Sequence, residues 1–185
     1  MDMTQTPALP EELELANGPT VTIRRIQPGD APFLVEMFSH LSDRTRRLRF
    51  HAYTANLPQE RIWRQALALA ELDPDRELAL VAVHEDEAGQ HIVGVARFAR
   101  ATPGAIEAEA AIVVRDDFQR KVLGTHLMRL LVPRARDMGI QRLFGWIMSE
   151  NRHMLGIVKK THLPTHVESH SGEMFVVVDL DDHPL

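Results

Sequence analysis

The residues best suited to chemistry in this chain lie between Glu107 and His126. Glu109 is the one acidic side chain inside an apolar run from Ala108 to Val114, and such a run is typical of a buried strand. A carboxylate there can accept a proton, and burial among apolar neighbours raises a carboxyl pKa and makes the group a better base. If the strand exposes Glu109 to water instead, we expect it to pair with an arginine.

A second feature follows that strand directly. Arg115, Asp116 and Asp117 end the apolar run, and Phe118 to Thr125 leads into a helix with its leucines on one face. The amino end of a helix presents unpaired N–H groups and the positive end of the helix dipole, which favour a phosphate group. The sequence therefore predicts an anion-binding loop close to a carboxylate that can accept a proton.

This loop resembles the acyl-CoA-binding loop of the GNAT family of N-acyltransferases, whose pattern is Q/R-x-x-G-x-G/A. The matching segment here is Gln119-Arg120-Lys121-Val122-Leu123-Gly124. Gln119 and Gly124 agree with the pattern, and Val122 stands where the family has its first glycine.

Two further segments, Leu41–Phe50 and Asp75–Val83, resemble the branch of the family that includes bacterial protein-lysine acetyltransferases. With them the resemblance covers Val21 to Leu180. It implies an α/β fold with a mixed, mainly antiparallel sheet, a central splayed pair of parallel strands, and helices on both faces. It also implies an acetyl-CoA-dependent N-acetyltransferase that uses no metal. The implied acceptor of the acetyl or short acyl group is a primary amine, with a protein lysine favoured.

The resemblance assigns individual roles. Glu109 stands at the position of a glutamate proposed as general base in relatives that acetylate lysine. The backbone of β-strand residues would pair with the pantetheine arm and donate an N–H to the thioester oxygen. The residues that the resemblance places on acetyl-CoA are Ile112, Val113, Val114, Gln119, Arg120, Lys121, Val122, Leu123, Gly124, Thr125 and Asn151.

Several of these positions have a second interpretation. Asn151 is equally suited to cap the helix that follows it, and the basic residues of the loop suit a solvated turn. Val122 puts a β-branched side chain where backbone must approach pyrophosphate. A catalytically silent acyl-CoA-binding or regulatory module is therefore an alternative function, and a small-molecule amine is an alternative acceptor.

Four arginines follow Ser42 in a short predicted helix. They either line an entrance for an acidic substrate or form a solvated helix face, since both signs of charge are spread along the chain. These residues are Arg44, Arg46, Arg47 and Arg49.

The remaining elements follow from apolar patterning and capping residues. Asp30, Ser42 and Pro58 are predicted to begin three helices, and Gly139 to end the helix that contains Pro133, where we expect a kink. Met1–Gly18 is predicted to be a flexible tail, and residues 19–185 a single acyltransferase domain. The remaining predicted strands are Val21–Ile26, Leu78–His84, His91–Ala99, Arg142–Met148, His166–His170 and Met174–Leu180.

Composition narrows the function classes. The 185 residues are 44% apolar and 25% charged, which are ordinary globular values, and no apolar run approaches the roughly 20 residues of a membrane helix. We expect a soluble cytoplasmic protein without a membrane partner. The absence of cysteine excludes a cysteine nucleophile, so acyl transfer would be direct or would pass through another residue. The net charge of −5 argues against a nucleic-acid partner.

His162, His166 and His170 are spaced like metal ligands, but Pro164 interrupts the helix that such ligands need, and we expect no metal site.

Overall fold

The structure is a computed structural model that describes residues 6–50 and 57–180. Its helices are α1 (Ala31–Ser39), α2 (Asp43–Phe50), α3 (Gln59–Ala70), α4 (Leu123–Asp137) and α5 (Arg152–Lys159). Its strands are β1 (Glu11–Glu14), β2 (Thr20–Arg25), β3 (Glu77–Asp86), β4 (Gly89–Ala99), β5 (Glu107–Val114), β6 (Arg142–Met148), β7 (Thr165–His170) and β8 (Glu173–Asp179).

The described strands form one sheet in the order β1-β2-β3-β4-β5-β6-β8-β7. Strands β5 and β6 are parallel, and the other neighbouring pairs are antiparallel. The mixed, mainly antiparallel sheet that the resemblance implied is therefore confirmed, and β3 and β4 form an antiparallel hairpin within it.

Helices cover both faces of this sheet, as predicted. On one face, α1 and α3 pack through Met37 and Ala66 against Val81 and Val95 of the central strands. On the other face, α4 and α5 belong to a larger apolar cluster, in which Leu127 is fully buried. The central strands are apolar on both faces because they are covered on both faces.

The parallel pair separates soon after it forms. Its ladder joins Glu107 to Arg142, Ala108 to Leu143 and Glu109 to Phe144, and no further pairs follow. Gly145 comes next on β6, where a Cβ atom would lie 3.0 Å from the carbonyl oxygen of Ala110. Glycine thus permits a close backbone approach at the point of divergence. Beyond this point the β5 backbone groups that face β6 have no partner on that strand.

The predicted flexible tail is wrong where β1 forms. Residues Glu11–Glu14 pair with β2 from Glu11 opposite Ile23 to Glu14 opposite Thr20. The Glu11 carboxylate lies 2.8 Å from Nε2 of His126 on α4, and Leu13 packs on the core. Contacts with distant residues therefore order an acidic segment whose own sequence gave little sign of a strand.

The predicted helix boundaries are largely confirmed. Ser42 Oγ accepts a hydrogen bond from the backbone N–H of Thr45 at 3.2 Å, and Gly139 follows the end of α4 with φ +75°. Helix α4 runs through Pro133 as one element. Asp30 precedes α1 as predicted, but its carboxylate does not cap the helix. It accepts hydrogen bonds from Gln27 N–H and the Arg24 guanidinium at 2.7–2.8 Å instead.

We predict that Gly145→Ala destabilises the fold, because the new methyl group meets the rigid backbone oxygen of Ala110. Overpacking of this kind costs about 1–3 kcal/mol. Gly156→Ala in α5 is the matched control, since a Cβ there meets no atom within 4 Å. Alanine in a helix interior is favoured over glycine by up to about 1 kcal/mol, so the control should match or exceed the wild type. Chemical denaturation of the three proteins measures the difference, and equal stability of Gly145→Ala and wild type would contradict the prediction.

Candidate active site

The divergence of β5 and β6 opens a cavity of about 760 Å³. Its walls come from β5 and β6, the ends of α2, α4 and α5, and the loop before α4. Most of the site residues predicted from the sequence line this one cavity: Glu109, Ile112, Val113, Val114, Gln119, Arg120, Val122, Gly124, Thr125 and Asn151.

Two predicted site residues do not line the cavity. The Leu123 side chain is buried in the core with 1% exposure. Lys121 places its ammonium group 5.4 Å from the ring centre of Phe118. For Leu123 in particular, only the backbone is left for a role at the site.

Strand β5 offers its backbone to the cavity. Its side chains alternate between the faces of the sheet: Ala110 and Ile112 pack on the cluster that contains α4, and Val113 packs on the cluster that contains α1. The unpaired N–H and C=O groups along the β6 side can therefore form a ladder with an extended ligand, as another strand would.

The loop before α4 has an unusual backbone. Arg120 and Val122 are both in the left-handed region, with φ +61° and +65°. That conformation is a clear outlier for a β-branched residue such as valine. The Val122 side chain is 51% exposed, so packing contributes little to hold it there. The loop thus has a backbone shape that glycine adopts freely and that valine adopts at a cost in free energy.

Hydrogen bonds tie this loop to α2. Asp116 accepts from the Ser42 N–H at 2.9 Å, from Ser42 Oγ at 2.7 Å and from Thr45 Oγ1 at 2.7 Å. Gln119 Nε2 donates to Thr45 Oγ1 at 3.2 Å and to the Val114 carbonyl at 3.0 Å. We call Ser42, Thr45, Asp116 and Gln119 the loop–helix clasp. These bonds explain why a glutamine suits position 119: its side-chain amide is hydrogen-bonded within the protein.

The electrostatics of the clasp follow from these contacts. Burial alone would raise the pKa of Asp116, but the hydrogen bonds from Ser42 and Thr45 outweigh burial and hold that pKa below its ordinary value. Asp116 was not among the residues predicted for the site. Its partner Ser42 is 74 positions away, and nothing in the local pattern indicates such a contact.

Glu109 lies where the parallel ladder ends, with its side chain exposed at the cavity. The expected burial among apolar neighbours is wrong: the neighbouring Ala108 and Ala110 pack on the cluster that contains α4, so the alternation of β5 turns Glu109 to the opposite face, where it is exposed. The alternative of an ion pair is not found either: among residues 6–50 and 57–180 the Glu109 carboxylate forms no salt bridge or hydrogen bond. Its closest charged neighbours include Arg49 on α2, whose pKa it influences.

Asn151 caps α5, because its Oδ1 accepts a hydrogen bond from Met154 N–H at 3.2 Å. It also lines the cavity, so a contact with a ligand stays a prediction. The chain's single tyrosine, Tyr53, lies outside the described residues.

Within the described part of the chain, no group of three or more metal-ligating side chains comes together. His166 instead lies 3.1 Å from Asp179, and His170 lies 3.5 Å from Glu168. No described helix has the length and hydropathy needed to cross a membrane.

Comparison with known proteins gives consistent matches. The sequence model of the Acetyltransferase (GNAT) family matches residues 38–162. An acetyltransferase of Pseudomonas aeruginosa is 28% identical over 145 residues, which cover 76% of this chain and 73% of that protein. Acetyltransferase Pat of Mycolicibacterium smegmatis is 33% identical over 69 residues, covering 37% of this chain and 21% of that protein.

Solved structures share the fold. The GNAT domain of S. lividans PAT superposes with a TM-score of 0.77 at 24% identity, covering 91% of this chain and 96% of that one. A putative acetyltransferase from Salmonella typhimurium, YncA, was solved with its cofactor acetyl-CoA. It superposes with a TM-score of 0.64 at 20% identity, covering 89% and 96% of the two chains.

We predict that Val122→Gly tightens coenzyme A binding. Glycine adopts the left-handed conformation without strain and lets phosphate approach the loop N–H groups. One added hydrogen bond to a charged group is worth about 1.5–3 kcal/mol, so the dissociation constant should fall about tenfold or more. Titration calorimetry with acetyl-CoA measures it for both proteins.

Val122→Ala is the matched control, because it removes the branched methyl groups and keeps a Cβ atom at positive φ. We expect its affinity for acetyl-CoA to stay near that of the wild type. A glycine variant that binds more weakly than the wild type would show that the loop is adapted to valine.

Ligand at 100 times its dissociation constant should also stabilise the wild type by about 2.7 kcal/mol, visible as a higher melting temperature.

Proposed function

This chain belongs to the GNAT family of acetyltransferases, and on that premise we propose that it transfers an acetyl group from acetyl-CoA to a protein lysine with Glu109 as general base. One observation carries this proposal. The Glu109 side chain, the unpaired backbone edge of β5 and most of the loop before α4 line the same cavity; the loop residues are Gln119, Arg120, Val122, Gly124 and Thr125.

The cosubstrate fits this cavity by the chemistry of its parts. The pantetheine arm is extended and carries amides, which suit the unpaired N–H and C=O groups of β5 between Ala110 and Val114. Its pyrophosphate suits the N–H groups at the start of α4, and Arg120 adds positive charge at the cavity wall. The thioester would then lie close to the end of the β5–β6 ladder, beside Glu109.

Proton removal is the chemical need that Glu109 meets. A lysine ammonium has a pKa of about 10.4 and is almost wholly protonated at pH 7, whereas only the neutral amine attacks a thioester. In the proposed step Glu109 accepts the proton, directly or through a water molecule. The carboxylate is exposed and forms no salt bridge within residues 6–50 and 57–180, which leaves it available for this.

Acyl transfer then proceeds without an enzyme-bound intermediate. The amine nitrogen forms a bond to the carbonyl carbon, and a backbone N–H of β5 stabilises the negative charge that develops on the carbonyl oxygen. The C–S bond breaks, and coenzyme A leaves as a thiolate. A thiol with a pKa of about 8.5 is a tolerable leaving group, so water suffices to protonate it.

A protein lysine is the favoured acceptor because the part of the cavity formed by β6 and β8 is open and carries aromatic side chains. Trp146 is 45% exposed and lines the cavity, and its ring centre lies 5.0 Å from that of Phe175. Phe144, also at the cavity, lies 5.8 Å from Phe175. Aromatic faces suit both the aliphatic stem and the cationic head of a lysine side chain. The resemblance to protein-lysine acetyltransferases adds to this argument.

We predict that Glu109→Gln lowers kcat for transfer to a lysine peptide by 10²–10⁴-fold, which is about 3–5 kcal/mol of barrier, because glutamine cannot accept the proton. Acetyl-CoA affinity should barely change. The matched control is Glu107→Gln on the same strand, since Glu107 pairs with Arg142 and does not line the cavity. Steady-state kinetics over pH 6–10, with calorimetry for cosubstrate binding, provides the measurement.

The kinetic outcomes are distinct. Wild-type rates in Glu109→Gln at saturating acceptor remove Glu109 from the mechanism. A wild-type protein that binds acetyl-CoA tightly and acetylates neither lysine peptides nor small amines would be a binding module. Acetylation of small amines alone would identify a small-molecule acetyltransferase.

A further inference from the structure

Glu109, at the edge of the cavity, has more positive than negative charge around it. Arg97 lies on β4 opposite Ala111 of β5, and Ala99 lies opposite Glu109, so Arg97 is the diagonal cross-strand neighbour of Glu109. Arg49 lines the cavity from α2 and interacts electrostatically with both Glu109 and Arg97, whereas Arg97 lies beside the cavity on β4. Two guanidinium groups thus lie near one carboxylate. We call Arg49 and Arg97 the acceptor-side arginines.

No carboxylate of the described residues forms a salt bridge with Arg49 or Arg97, and Glu109 acts on Arg49 only as a nearby charge. Neither Arg49 nor Arg97 forms a salt bridge within residues 6–50 and 57–180, and the Arg49 guanidinium instead lies 5.1 Å from the ring centre of Phe50. The other acidic residue at the cavity, Glu173, lies at the start of β8, beyond β6 from Glu109. The local excess of positive charge is therefore not neutralised within the described structure.

The other arginines of α2 are used internally. Arg46 donates to the Phe38 and Ser39 carbonyls at 3.0 and 3.1 Å, and Arg47 pairs with Glu150. Helix α2 is therefore not a solvated face along its whole length. Arg46 and Arg47 bond to other parts of the protein, and Arg44 and Arg49 line the cavity.

This arrangement disfavours the charged form of Arg49. Burial and the charge of Arg97 lower its pKa to about 10, and Glu109 counteracts them in part. Arg49 stays protonated at neutral pH all the same. Two partly buried cations beside each other are unfavourable unless an anion joins them.

We propose that the acceptor is an acidic one: the lysine to be acetylated is flanked by a carboxylate side chain, and Arg49 and Arg97 bind that carboxylate while the lysine amine faces Glu109. This inference rests on the proposed function and specifies its substrate. Guanidinium groups bind carboxylates by paired N–H donors, so the contact also orients the acceptor. It leaves Glu109 free, because the acceptor's own carboxylate satisfies the arginines.

The test compares capped peptides that differ only beside the lysine, with Glu, Gln or Arg as flanking residues. We expect kcat/KM for the Glu-flanked peptide to exceed that for the Gln-flanked peptide at least about tenfold, with the Arg-flanked peptide poorest. Raising the salt concentration from 50 to 500 mM should shrink the preference, because it screens charge. Equal values for the Glu and Gln peptides in the wild type overturn the proposal.

Variants locate the effect. Arg97→Gln should bring the Glu-to-Gln preference to within about threefold, Arg97→Lys should keep most of it, and Arg97→Glu should reverse it in favour of the Arg-flanked peptide. Arg64→Gln is the charge-matched control, because Arg64 is exposed on α3, where it pairs with Glu60 and not with any residue at the cavity. Melting temperatures confirm that the variants are folded. An unchanged preference in Arg97→Gln and in Arg49→Gln overturns the assignment.

A binding measurement separates this inference from the proposed function. Calorimetry with the Glu- and Gln-flanked peptides, in the presence of coenzyme A, reports the preference without any turnover. Tighter binding of the Glu-flanked peptide with no transfer supports the acidic acceptor and contradicts the proposed transfer. Transfer with no preference in rate or in binding supports the proposed function and contradicts the acidic acceptor. Faster acetylation of free acidic amino acids than of every capped peptide overturns the inference in favour of a small acidic amine.

Discussion

The early separation of β5 and β6 is the constraint on which the rest of the structure depends. Three residue pairs hold the two strands together, and the ladder ends at Glu109 and Phe144. A buried sheet normally satisfies its backbone groups between strands, so a gap inside a sheet needs a ligand or water to complete it. The gap creates the cavity, unpairs the β5 backbone and brings Glu109 to its edge. The proposed cosubstrate and acceptor sites both lie at this one interruption.

The sheet and helices could be predicted because local patterns specify them. Buried central strands read as apolar runs, and residues such as Ser42 and Gly139 mark helix ends through their own backbone preferences. Strand β1 could not be predicted, since contacts with β2 and α4 hold it in place and its own residues are mostly acidic. Asp30 lies at the predicted start of α1, but the Arg24 guanidinium on β2 binds its carboxylate, which therefore does not cap the helix.

The candidate site was predictable in position and less so in detail. The resemblance pointed to residues that do gather at one cavity, because strand, loop and helix follow one another along the chain. The exposure of Glu109 depends on which part of its sheet face the helices leave open, and no local pattern encodes that. At position 122, the sequence shows that valine replaces the family's glycine, but it does not show that this valine has a left-handed backbone. The clasp on Asp116 joins positions 74 apart and left no local signal.

The loop–helix clasp links the two ends of the cavity in free energy as well as in space. Asp116 and Gln119 belong to the loop before α4, whereas Ser42 and Thr45 begin the helix that carries Arg49. A ligand that favours one arrangement of the loop therefore favours the arrangement of α2 bonded to it. Thermodynamic reciprocity then requires the proposed acceptor, bound at α2, to change cosubstrate affinity by the same factor as the cosubstrate changes acceptor affinity. The clasp is thus a physical connection through which the two proposed substrates can influence each other's binding.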